Sequence, residues 1–130
     1  MNPGQQVLEI FQLEFTLQDV EGEGLRGRAL YRTPGLSAGL TLWPEASDLQ
    51  ALLDQIEAQY HDFEKPLDWS MRQGKKRMRL TWGVDALGHI GDGRVALEDE
   101  GLAWSVSGRL HGDQSYLPRI AMGLQLLLRA

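Results

Sequence analysis

The chain has 130 residues, no cysteine and a formal net charge of −5, with 13 Lys and Arg against 18 Asp and Glu. This length fits one domain that can bury a core without staples, and the lack of cysteine excludes disulfides, thiolate metal sites and thiol nucleophiles. The acidic balance argues against a general nucleic-acid-binding surface, and no apolar run approaches the ~20 residues of a membrane span.

The N-terminal stretch MNPGQQVLEIFQLEF has no basic segment ahead of an apolar run, so a cytoplasmic protein is expected. Phe11, Leu13, Phe15 and Leu17 alternate with Gln12, Glu14, Thr16 and Gln18 and predict a half-buried strand. Leu8 and Ile10 sit on the other parity, which a β-bulge would reconcile. EGEG predicts a turn, and LRGRALYR predicts a second strand with Arg26, Arg28 and Arg32 on one face. Pro34 and Gly35 suit a type II turn, after which Leu36, Ala38, Leu40 and Leu42 point inward from a third strand. Ser47 as N-cap, with Gln50 completing a capping box, opens a helix whose apolar stripe is Leu49, Leu52, Leu53, Ile56 and Tyr60. HDFEKPLDWSMRQGK breaks this pattern and reads as a long connection over 61–75.

The second half repeats the order. Met78, Leu80, Trp82 and Val84 alternate with polar residues, RVALE is the next strand, DEG turns the chain, and Leu102, Trp104 and Val106 mark a further strand. Ser115 can cap a final helix with Pro118 in its first turn and Leu117, Ile120, Ala121, Leu124 and Leu128 as its stripe. Leu13, Phe15 and Leu17 then correspond to Leu80, Trp82 and Val84, Gly27 to Gly93, and Gly35 to Gly101. The expectation is an α+β fold. It has two tandem strand-strand-strand-helix units, about 7–60 and 76–129, forming a pseudo-repeat in a single domain over 1–130. An antiparallel sheet system, continuous or split, would carry both helices on it.

Chemistry-bearing residues are sparse. GVDALGHIGDG, residues 83–93, is followed by a strand, whereas a phosphate-cradling loop needs a helix there. It reads as a hairpin in which Asp85 accepts from backbone N–H groups two residues on and Gly88 takes positive φ. A metal site at Asp85, His89 and Asp92 is the weaker reading, because His89 and Asp92 fall on opposite faces of a regular strand. His61, Asp62 and Glu64 follow the first helix, where a histidine near the C-terminus is favourable without a metal. No serine occupies a nucleophile elbow and no carboxylate pair suggests acid and base roles. The expectation is a non-enzymatic chain with no cofactor. The strongest local charge signal is Arg72, Lys75, Lys76, Arg77 and Arg79. Such a cluster can grip phosphates or an acidic partner, or it can be a solvated face that deters edge pairing. Trp69, in the expected connection, either pins that loop or contacts a partner.

Trp69, a strand with Leu80, Gly88-His89 at a hairpin, a strand ending near Leu97, Trp104 mid-strand and a terminal helix with Leu117, Ile120-Ala121 and Leu124 form a sparse pattern. Over residues 69–128 it resembles the WapI-type immunity proteins of bacterial polymorphic toxin systems; the first half resembles them only in element order. The resemblance implies a protein that binds and neutralises a cognate toxin, often a nuclease. An acidic inhibitor would be steered onto a basic toxin domain. Arg72, Lys75, Lys76, Arg77, Arg79, Trp69 and His89 are the candidate binding residues, in a monomer or homodimer. The alternatives are a small-ligand or nucleic-acid module using the basic strand around Arg77 and, behind it, a metal-assisted hydrolase using His89.

Overall fold

The structure, a computed structural model, describes residues 5–129. It is α+β, with two antiparallel four-stranded sheets and two helices. The first sheet is a meander of β1 (Gln5–Ile10), β2 (Leu13–Val20), β3 (Gly24–Thr33) and β4 (Leu36–Leu42), followed by α1 (Ala46–His61). The second is a meander of β5 (Leu67–Gln73), β6 (Lys76–Val84), β7 (Ile90–Asp99) and β8 (Trp104–Leu110), followed by a short 3-10 turn and α2 (Leu117–Leu128).

Each unit therefore has four strands, where three were expected. In the first half the missing strand was hidden at the parity slip. Leu8 and Ile10 do not belong to a bulged β2; they form β1, which pairs Leu8 with Phe15 and Ile10 with Leu13 across a two-residue turn at Phe11-Gln12. Phe11 sits in that turn at φ 57°, a conformation that ordinarily selects glycine. Its ring meets Trp82 of the other sheet edge-on, with centroids 5.4 Å apart, a favourable aromatic geometry. In the second half the expected connection over 61–75 contains β5, whose Leu67, Trp69 and Met71 all point into the core.

Other local expectations shift for identifiable reasons. α1 begins before Ser47, with Glu45 as N-cap, and the Asp48 carboxylate accepts from the Glu45 N–H at 2.9 Å. That reciprocal bond uses Asp48 as the fourth residue of the box, where Gln50 was expected. The turn before α2 is capped by Asp113, which accepts from Ser115 N at 2.8 Å, so Ser115 receives a cap and does not supply one. Leu36, the first residue of β4, and Leu102, in the β7–β8 turn, are exposed. The Pro34-Gly35 turn has Gly35 at φ 85°, as a type II turn requires. Between β6 and β7 the register steps from Thr81↔Arg94 to Gly83↔Gly91, which leaves Asp92 and Gly93 opposite Trp82. Asp92 takes φ 52° at this bulge.

One continuous core joins the inner faces of both sheets with the stripes of both helices, from Leu8 and Phe15 through Leu52 and Ile56 to Trp82 and Leu124. The helices are exchanged between units: α1 contacts β5 and α2 contacts β1. The Gln55 side chain accepts from Asp68 N at 2.9 Å and donates to Asp68 O at 2.9 Å, pairing with the β5 edge as a neighbouring strand would. At the matching contact on β1, Gly123 of α2 lies directly against Leu8, leaving no room for a Cβ. The sheets are also tied together where Tyr31 Oη donates to Arg109 O at 2.8 Å and Gln73 Oε1 accepts from Trp43 N at 2.7 Å.

Candidate binding surfaces

Since the inner faces are consumed by the core, recognition falls to the outer faces, where alternation places the polar residues. On the second sheet the register aligns three rows. They are Asp68, Thr81, Arg94 and Arg109; Ser70, Arg79, Ala96 and Ser107; and Arg72, Arg77, Glu98 and Ser105. The basic cluster seen in sequence is thus brought together, but much of it is already engaged. Arg79 forms a fork with the Asp68 carboxylate at 3.0 and 2.8 Å. That guanidinium bond holds the Asp68 carboxyl below the usual carboxylate range, with the charges of Arg79 and Arg77 adding to it. Arg72 reaches Glu100 at 3.4 Å. Lys76 Nζ donates to Thr41 O at 3.0 Å and so helps join the sheets. Arg77 stands opposite Glu98, and Lys75 lies exposed in the β5–β6 turn.

Two further candidates lie apart from this cluster. Trp69 is buried, and its Nε1 donates to Asp48 O at 2.9 Å, so it fastens β5 to the start of α1 and presents no face to a partner. His89 is exposed in the β6–β7 hairpin. It lies beyond the opposite end of β6 from Lys76, roughly 25 Å away along an extended strand. The hairpin has the expected construction. Asp85 Oδ1 accepts from Leu87 N and from His89 N, both at 2.9 Å, and Gly88 takes φ 81°. These backbone donors, that of His89 foremost, hold the Asp85 carboxyl below its ordinary range. Among the described residues no three His, Asp or Glu side chains converge as metal ligands would.

The first sheet carries a feature that the charge run in β6 overshadowed. Its outer face is a groove of about 620 Å³ lined by Arg26, Arg28 and Arg32 of β3, by Thr16, Gln18 and Thr41, and by Glu14. β3 is an inner strand, flanked by β2 and β4, so the three arginines rise from mid-sheet and do not fringe an edge. Gly39 of β4 contributes no side chain opposite Leu30, which deepens the groove there. Among the described residues none of these arginines joins an ion pair; Arg26 Nη2 donates to the neutral Gln18 Oε1 at 2.8 Å. Arg26 Nε is buried with no acceptor among the described residues. The shared parity of Arg26, Arg28 and Arg32 was legible in sequence; the hollow beneath them depends on the pairing of four strands and was not.

Buried polarity elsewhere is structural. Gln59 accepts from Trp82 Nε1 at 2.8 Å and donates to Lys65 O at 3.1 Å. Burial, with the Glu57 charge adding to it, pushes the Tyr60 hydroxyl up to about 12. No known family profile matches the chain, and no curated protein matches it.

Proposed function

We propose that the protein is a non-enzymatic binding domain that engages a protein partner across the outer face of its first sheet; the immunity proteins that its second half resembles likewise act by binding a protein. The observation that carries the reading is the groove itself: three arginines without ion-pair partners among the described residues, on an inner strand, over a hollow of about 620 Å³. Unpaired guanidiniums on a rigid strand are available for charge-assisted hydrogen bonds to an incoming group. The second sheet is the lesser candidate, because Arg72 and Arg79 already hold Glu100 and Asp68.

The repeat belongs to the same reading. Gly27 pairs with Leu42 in one unit and Gly93 with Leu110 in the other, at the same place in each meander. This register supports a duplicated four-strand-and-helix unit in which one copy keeps the arginine groove and the other pairs Arg79 with Asp68 and Arg72 with Glu100.

Native mass spectrometry of protein purified gently from its own host at low salt tests the function. A mass increment matching a polypeptide is expected. A bare chain, or an increment of metal or small-molecule size, would overturn the reading.

A further inference from the structure

We infer that the groove on the first sheet takes an extended acidic polypeptide segment, laid along β3 with its carboxylates on Arg26, Arg28 and Arg32. This rests on the protein-binding reading and names the chemistry of the segment bound. Four observations lead to it.

The arginines are spaced as a strand spaces side chains. Arg26 and Arg28 stand two residues apart on one face, roughly 7 Å, and Arg32 stands roughly 13 Å further on. Acidic residues at alternate positions of an extended chain repeat with the same period, so such a segment can meet the ladder without either backbone bending. The charge is also right. Among the described residues Glu14 is the only carboxylate lining the groove, against three arginines, and no described ion pair joins it to them.

Arg26 is already partly ordered. Gln18 accepts from one of its Nη atoms at 2.8 Å, which fixes the guanidinium at the head of the groove. Its buried Nε–H lacks an acceptor among the described residues. A carboxylate that reaches this Nε–H while the Gln18 bond is kept exchanges an unmade hydrogen bond for a made one. Finally, Thr16 and Thr41 lie in the same row as Arg28, so hydroxyls able to bond a peptide backbone stand on both sides of it. A basic toxin surface would be repelled here and would need a different face.

Fluorescence anisotropy on the full chain, with a short labelled peptide of alternating glutamate and threonine at low salt, tests the inference. A glutamine version of the peptide and a single-stranded oligonucleotide of equal charge serve as comparisons. The glutamate peptide is expected to bind, the glutamine peptide not. Arg28→Gln with Arg32→Gln, both at exposed positions where the fold is not at stake, should weaken binding by about tenfold or more. Arg77→Gln on the other sheet should leave it unchanged. Equal binding of the two peptides, or equal loss with Arg77→Gln and the groove variant, would overturn the inference. So would an oligonucleotide that binds in a groove-dependent way where the peptide does not. A polypeptide still retained by the groove variant in native mass spectrometry would leave protein binding standing and remove this groove from it. If neither polypeptide nor peptide binds the wild type, both readings fall.

Discussion

Asp85 shows what a single side chain contributes here. Its carboxylate organises the β6–β7 hairpin by accepting two backbone N–H groups, and Gly88 completes the turn with positive φ. Because these bonds favour the ionised form, the folded-state value lies below that of the unfolded chain. The resulting stabilisation is present above the unfolded carboxylate value of about 4 and is lost as pH falls through the depressed folded value. Asp85→Ala is therefore expected to lower Tm at neutral pH, and the gap to wild type should close as the melts are repeated toward pH ~3. A gap that stays constant over that range would mean the charge plays no part. This hairpin was legible in the sequence because aspartate and glycine at fixed offsets have a local mechanism. The turn at Phe11-Gln12 was not, because neither residue carries a turn signal. Phe11 is held at φ 57° in contact with Trp82, seventy-one positions away.

At the scale of elements, edges matter most. β5 is an edge strand of its sheet, and Gln55 of α1 occupies part of its free side with two hydrogen bonds to Asp68. Gln55→Ala is expected to cost about 1–2 kcal/mol, the net worth of two such bonds, read as a lower urea midpoint with an unchanged m-value. The variant should also self-associate more readily, since an uncovered strand edge invites pairing; sedimentation velocity would show it. β5 itself went unread in the sequence although Leu67, Trp69 and Met71 alternate. Three apolar residues between Pro66 and Gly74 are too few to tell a strand from an irregular loop, and it is pairing with β6, from Leu67↔Trp82 to Gln73↔Lys76, that makes this segment a strand. The longer alternations of β2 and β6 and the helix stripes were legible because each repeats its period several times. α1 starts earlier than Ser47 suggested because the cap is settled by which carboxylate reaches back, and Asp48 does.

For the whole molecule, the shared core means neither unit buries its own apolar surface. Phe15, Leu52, Trp82 and Leu124 belong to one cluster that crosses the boundary between halves. Chains cut within residues 62–66 are expected to be unfolded separately and to regain a cooperative transition when mixed, as followed by circular dichroism. Cooperative melting of either fragment alone would show that the units are independent. Strands followed by a helix in each half were readable from the sequence, as three strands where the structure has four. The exchange of helices was not, because both helix stripes are simply apolar and neither names the sheet it covers.

That exchange also bears on how the chain could be threaded. α2 runs alongside β1, with Tyr116 tilted against Phe11 and Gly123 against Leu8, so the first strand and the last helix are neighbours. If a linker joined those ends and the chain were opened between α1 and β5, the permuted polypeptide would again read as a four-stranded meander and a helix, then a second meander and helix. The permutant would have the same element order as the parent, with the arginine-bearing sheet moved from the beginning of the chain to its end.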